Sequence, residues 1–345
     1  MDRFSRDEQN LTGRVRPGSE PVRVDGDAGE VDAALKEVRI DDNAVLEWLL
    51  DGDQAIRWQV MRDLLDAAPE EWESERARTV ETGWVAQLLE HQGRDGEWPK
   101  GRWSASTWTL LLLVACGLPA EHPAAIAPVD RLLERFMPVG EEPDPGFLLR
   151  RVDLCHLGFW LGLGAYFIPD DARLPPLAEA VLSAQYADGG WNCQMRNYPE
   201  RRHSSFNTTF NVLENLRIAD ANGLVGERAF QEAEASAVEF MLAHRLYRSD
   251  KTGAVVAERF THLTYPWHWH YTVLRGLDYL RTTPAIGDQR LADPIQLMLA
   301  QRKPNGRWPL QKRIPGTLLV EMEKPGGDSR WNTLRMLRVL RHRNA

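Results

Sequence analysis

Apolar positions along this chain recur at spacings of three and four rather than two. "FNVLENLRI" (210–218) and "LRMLRVLRH" (334–342) each gather their large hydrophobes on one helical face, while "LGFWLGLGAYF" (157–167) is apolar all round. Such runs predict helices, the last of them buried on every side. No stretch alternates apolar and polar residues for long enough to predict a strand.

The helix ends share a grammar, and it repeats. "LLEHQGRDGEW" (88–98), "VLSAQYADGGW" (181–191) and "LMLAQRKPNGRW" (297–308) each run from an apolar helix end through a Gln and an Asp-Gly or Asn-Gly step to a Trp. The glycine supplies the positive φ that lets a chain leave a helix abruptly. The Gln amide is expected to bond the freed backbone groups, with the indole packed over it. Weaker copies fall between these, at "LLERFMPVGEEPDPGF" and "FMLAHRLYRSDKTGA", and "VLEWLLDGDQAIRWQVMRDLL" precedes them. The pattern predicts six helix pairs, with second helices starting near 55, 104, 152, 206, 265 and 329. Helix pairs of this kind build either an open solenoid or a closed ring. Long, uneven loops and the number six favour the ring: an all-α (α/α)6 toroid, with the second helices lining its inside.

Composition narrows the partners. A chain of 345 residues with 43% hydrophobic residues can bury a large core. Its net charge of -8 disfavours nucleic acid and acidic membrane surfaces. Three scattered cysteines, Cys116, Cys155 and Cys193, form no disulfide framework and point to a reducing, cytoplasmic setting. The longest purely apolar run, 110–116, is too short to span a membrane, and the polar N-terminus shows no signal peptide. Residues 1–38 are polar and Gly-rich, which predicts a flexible tail ahead of a single domain over 39–345.

The Gln-x-x-Asp-Gly-x-Trp signature resembles the QW motif of squalene and oxidosqualene cyclases, and the related repeat in the β subunits of protein prenyltransferases. The strong and weak copies together cover about residues 42–343. The resemblance implies the same toroid, with an active site opening at one end of the inner helices. It also implies a prenyltransferase-like or terpenoid cyclase-like activity on an isoprenoid or similar hydrophobic substrate, which could carry a diphosphate. One fold hosts several chemistries, so the reaction is not fixed by it.

Within that resemblance, "DPGFLLRRVDLCHLGFW" is similar to the prenyltransferase stretch that carries an Asp-x-Cys zinc pair after basic residues. Asp153 and Cys155 match the two zinc ligands, and Arg150, with Arg151, matches a basic residue near the diphosphate. The family's zinc histidine aligns with Asn207, a poor ligand for zinc. "YPWHWHY" offers His268 and His270 instead, which makes Asp153, Cys155 and His270 the expected zinc set, with His203 able to reach in from its loop. The plainer alternative makes Asp153 a helix cap, Cys155 a small apolar filler and the Trp-His segment packing.

First turns of inner helices face the cavity, which places Trp103, Trp108, Asn207, Trp267, Trp269 and Trp331 at its mouth. Helix N-termini there suit an anion, and aromatic faces suit a cationic isoprenoid. The Asp-x-Asp-Asp of proton-initiated cyclases is absent; Asp153, Glu321 or Glu323 are the replacement acids on offer. No phosphate-binding loop, dinucleotide fingerprint, Cys-x-x-Cys, His-Glu-x-x-His or Gly-x-Ser-x-Gly occurs. Two readings stand: an isoprenoid enzyme, whose need for a partner subunit is open, and a non-catalytic toroid that binds a lipid or a protein.

Overall fold

The computed structural model describes residues 42–101, 105–138, 144–193, 200 and 203–344. The expected tail and Trp103 lie outside the described residues. The architecture is all-α: among the described residues only isolated β-bridges interrupt helices and loops. No helix there is long and apolar enough to cross a membrane.

The helices alternate between two roles. One set comprises α1 (Asn43–Leu50), α4 (Gly83–Glu90), α6 (Pro123–Glu134), α9 (Leu174–Ser183), α11 (Glu227–Ala243) and α13 (Ala292–Leu299). Their partners are α2 (Gln54–Asp63), α5 (Ser106–Cys116), α8 (Leu154–Phe167), α10 (Phe206–Ala221), α12 (Val273–Leu280) and α14 (Arg330–Asn344). Two extra helices, α3 (Pro69–Ala77) and α7 (Pro145–Arg151), fill connections. One apolar core runs through the whole set.

The partner helices touch in sequence. The Trp58 indole N–H and the Gln59 amide of α2 donate to the Cys116 and Ala115 carbonyls of α5, at 3.0 and 3.3 Å. Helix α5 packs on α8, α8 on α10, and α12 on α14. Phe210 of α10 meets Tyr279 of α12 edge to face. The last helix then packs on the first. Arg338 of α14 pairs with Asp63 of α2 and donates to Gln59 at 2.7 Å, and Arg341 donates to the Asp63 carbonyl at 2.8 Å.

The closest of these contacts depends on glycine. A Cβ at Gly162 of α8 would stand 1.9 Å from the Asn215 side chain of α10, and one at Gly158 only 3.4 Å from the Asn211 carbonyl. Helix axes separated by so little side chain require small residues at the crossing. The apolar run of α8 is therefore glycine-punctuated by packing need.

The three Trp turns are superimposable in their bonding. Each indole N–H donates ten residues back to the end of the preceding helix: Trp98 to Leu88 at 2.7 Å, Trp191 to Val181 at 2.9 Å, Trp308 to Met298 at 2.7 Å. Each Trp backbone N–H donates to a hydroxyl on the following helix: Ser106, Thr209 and Thr333. Gly96, Gly189 and Gly306 turn the chain at φ +76, +98 and +81. Gln92 and Gln185 cap the turn by donating to the Gly96 and Gly189 carbonyls at 2.8 and 2.7 Å.

The third copy departs from expectation. Gln301 is one residue out of register, bonding the Leu297 and Thr261 carbonyls instead. Arg302 takes the capping position and donates to the Gly306 carbonyl at 3.2 Å. Gln at that position, Arg302→Gln, is expected to leave stability within about 0.5 kcal/mol, the usual range for surface changes, as read by urea unfolding. Gly189→Ala is expected to cost more than about 2 kcal/mol, because a Cβ there meets the Ser236 carbonyl oxygen at 2.2 Å and φ is +98. A Gly189→Ala protein as stable as the parent would refute this reading of the turn.

Five second-helix starts lie within two residues of the sequence expectation; the one near 265 does not. Helix α12 begins at Val273, capped by the Thr272 hydroxyl, which accepts from the Arg275 N–H at 3.2 Å. His268 has φ +48, a left-handed conformation no helix continues through. The Trp-His segment is thus a loop ahead of α12, not a first turn.

Candidate functional site

That loop is held by a polar face of α10. Asn207, Asn211 and Asn215 recur every four residues and are all buried, at 2%, 0% and 3% exposure. The Asn207 Oδ1 accepts from the Tyr271 N–H at 2.7 Å, and the Asn211 amide donates to the Trp269 carbonyl at 2.8 Å. Arg275 of α12 completes the grip. It donates to the His270 carbonyl at 2.9 Å and to Asn211 Oδ1 at 2.8 Å, and pairs with Glu214. Buried amides with fixed partners specify one loop conformation, since each lost bond leaves a desolvated group behind. Asn207 therefore occupies its expected place but serves as a backbone anchor.

Two aromatic clusters flank the loop. In the first, Tyr265 stacks on Trp331 at 4.5 Å between centroids, Trp84 also stacks on Trp331 at 6.1 Å, and Trp267 meets Tyr265 edge-on. In the second, Trp108 presents an edge to His156, Phe159 and His268 at 6.1, 5.2 and 6.1 Å. Trp267 and His268, one from each cluster, are neighbours in the chain.

The electrostatics of this interior are unusual. Arg335 of α14 is 5% exposed, yet its guanidinium lies 3.4 Å from the Trp267 ring centroid, 5.0 Å from Tyr265 and 5.4 Å from Trp331. Burial pushes its pKa down to about 10, with Asp278 and Tyr265 opposing, so it stays charged at neutral pH. Burial also drives His268 down to about 3, helped by His270 and Arg275, which makes it a neutral imidazole. Burial raises the Cys116 and Tyr265 groups at the same place, so both stay protonated.

Glu323 stands at the start of α14. Its Oε1 accepts from the Arg330 and Trp331 N–H groups at 2.7 and 3.3 Å, and Ser329 donates to Oε2 at 2.5 Å. Burial raises its pKa despite these bonds and the Arg330 charge. It caps the helix, and it is an acid of raised pKa beside Trp331.

The remaining expected site residues are arranged differently. Asp153 holds the N-cap position of α8, but its side chain makes no capping bond. The Cys155 sulfur is 3.9 Å from His156 Nδ1, and the Cys155 N–H donates to the Cys193 sulfur at 3.0 Å. His270 is turned to its own loop, with Nδ1 3.2 Å from the Trp267 carbonyl, and His203 is exposed. Among the described residues no three His, Cys, Asp or Glu side chains form a group able to hold a metal ion. Asp153, Cys155 and His270, the expected zinc set, form no such group there. Arg150 and Arg151 stand exposed on α7, Arg150 paired with Asp144 at 3.3 Å and Arg151 lying over Phe147.

Arg335, Arg275 and Tyr265 escaped the sequence reading. A signal for the arginines existed. Arg335 sits between Leu334 and Met336, on a helix whose every residue from Trp331 to Leu340 is buried.

No protein-family model matches the chain, and no curated protein matches it. Among solved structures it is similar to a protein from Actinoplanes, at 16% identity and a TM-score of 0.43, over 91% of this chain and 100% of that one.

Proposed function

We propose that the six helix pairs close into an α/α toroid of the terpenoid cyclase and prenyltransferase type, and that its interior binds a hydrophobic small molecule of isoprenoid kind. Closure is supported by the packing of α14 on α2, which joins Arg338 to Asp63 across the whole length of the repeat array. The observation that carries the binding reading is the aromatic set of Trp84, Trp108, Tyr265, Trp267 and Trp331. It comes from four separate chain segments, and Trp84, Trp108 and Trp267 in it are only half-buried. Rings left partly uncovered offer apolar surface that a hydrophobic ligand would complete.

Two reactions were expected of such a fold, and the geometry favours neither. Transfer through a zinc-bound thiol lacks its ligand set. A carbocation would have to share the aromatic faces with Arg335 and Arg275, which already lie over Trp267 at 3.4 and 5.4 Å. Two like charges on one ring repel in a low-dielectric interior. Binding without a cationic intermediate is therefore the better reading.

Catalysis is kept as a second reading by one observation, the raised pKa of Glu323 beside Trp331. In that case Glu323→Gln should abolish turnover while leaving affinity within about threefold, under ~0.7 kcal/mol.

The test of the binding reading is a titration with farnesol, a neutral isoprenoid alcohol, followed by tryptophan emission. Saturable quenching is expected, weakened about tenfold (~1.4 kcal/mol) or more in Trp108→Ala. A flat titration in the folded parent protein would remove the proposal.

A further inference from the structure

We infer that Cys155 and Cys193 are a redox-active thiol pair, which closes a reversible disulfide when the protein meets a low-molecular-weight disulfide. The two residues are 38 apart in the chain, yet the Cys155 N–H donates to the Cys193 sulfur at 3.0 Å. Both are half-buried, so neither is sealed from solvent. The third cysteine, Cys116, is 0% exposed, and burial raises its thiol pKa, so it stays protonated and inert. The thiol pair stands whatever the aromatic set binds.

Helix packing brings the pair together. Helix α8 lies so close to α10 that a Cβ at Gly158 would stand 3.4 Å from the Asn211 carbonyl and the Val212 Cα. One turn earlier on each helix stand Cys155 and Thr208. The Thr208 hydroxyl accepts from the Cys193 N–H at 3.2 Å, which seats Cys193 over the start of α10 and beside the start of α8. The direction also suits a bond. In a helix the N–H and Cα–Cβ bonds both point toward the N-terminus, so a sulfur resting on the Cys155 N–H lies on the side from which the Cys155 thiol projects. One N–Cα bond of about 1.46 Å added to the 3.0 Å contact keeps that sulfur within about 4.5 Å of the Cys155 Cα. A disulfide needs its sulfurs about 2.05 Å apart and its Cα atoms roughly 4.4–6.8 Å apart. Rotation about the two Cα–Cβ bonds is the movement left to make. His156, next to Cys155, presents its ring to Trp108 at 6.1 Å, so the bridge forms at the edge of the aromatic set.

The exchange balances without a further reactant. One protein sulfur bonds to a sulfur of the small disulfide, whose S–S bond breaks and releases a first small thiol. The second protein sulfur then attacks the first, breaking the mixed disulfide and releasing a second small thiol. The protein gives up two electrons and two protons, and both end on the released thiols.

The test incubates the reduced full chain with oxidised glutathione, then counts free thiols with a maleimide under denaturing conditions and maps the peptides. Untreated protein should take a label on each of its three cysteines. Treated protein should label at Cys116 alone and yield a peptide crosslinked between Cys155 and Cys193, which dithiothreitol separates. Closure should be at least about tenfold faster in the folded chain than in urea, because the fold holds the thiols together. In Cys193→Ser, Cys155 should instead retain glutathione as a stable mixed disulfide. Three free thiols after treatment, glutathione retained on both residues of the parent, bridging to Cys116 or between chains, or equal closure rates folded and unfolded would each overturn the inference.

Discussion

Trp191→Ala is expected to destabilise the protein by about 3–5 kcal/mol, the range for losing a fully buried large aromatic side chain. The indole is 0% exposed and its N–H caps the Val181 carbonyl at the end of α9 at 2.9 Å. The same residue ties the turn to α10. Its backbone N–H donates to Thr209, and its carbonyl accepts from the Ser205 N–H at 2.8 Å. Removing the ring leaves a cavity and an uncapped carbonyl together, two costs that the neighbours relieve only in part. Trp48 provides the control. It is half-buried between Arg307 and Arg330, at 4.1 and 4.6 Å, and Trp48→Ala should cost about 1 kcal/mol or less. Urea unfolding of both variants reads the difference directly, and equal losses would show that the turn tryptophans are not special.

Asp63→Asn should cost a comparable amount, about 3–5 kcal/mol, because it strands a buried charge. Arg338 is 4% exposed, pairs with Asp63 and donates to the Gln59 side-chain Oε1. Burial pushes the Asp63 carboxyl up, but Arg338, Arg62 and Arg281 together outweigh it and hold its pKa below the ordinary 3.8. A carboxylate depressed in the folded state adds stability above its unfolded value. That contribution falls away as pH drops below about 3.8 and through the lower folded value. The parent protein should therefore lose stability across this acid range more steeply than Asp63→Asn, whose amide does not titrate. Parallel acid profiles would mean that the pair between first and last helices is not formed in solution.

Much of the architecture was legible, for reasons that can be named. Apolar spacing marks a helix wherever one face is buried, and the all-round apolar run of α8 marks a helix buried along most of its length. Asp-Gly and Asn-Gly steps locate turns because few other residues adopt positive φ. The misplaced Gln301 shows the limit of matching letters. Turn geometry sets a fixed six-residue distance back from Trp, and counting from Gly306 rather than from the Gln would have found Arg302.

The Trp-His loop was not legible as a loop. "YPWHWHYTVLRGL" carries no strong breaker after its proline. Its conformation is imposed from outside, by Asn207, Asn211 and Arg275 on the backbone of Trp269, His270 and Tyr271. The asparagine spacing of four on α10 was visible in the sequence, but its meaning required knowing what lies opposite. The candidate site was legible in its aromatics and illegible in its charges. Trp331 is buried and Trp108 and Trp267 are half-buried, whereas Arg150 and Arg151 are exposed and Arg335, which the sequence reading did not single out, is a buried cation.

The most direct measurement is photolabelling of the full chain with a diazirine-bearing isoprenoid, followed by peptide mapping with and without excess unlabelled ligand. A ligand inside a closed helical ring predicts competable labels confined to the segments around Trp108, Trp267 and Trp331, which are far apart in sequence and adjacent in the fold. Labels restricted to exposed α7 around Phe147, or spread over the surface without competition, would contradict it.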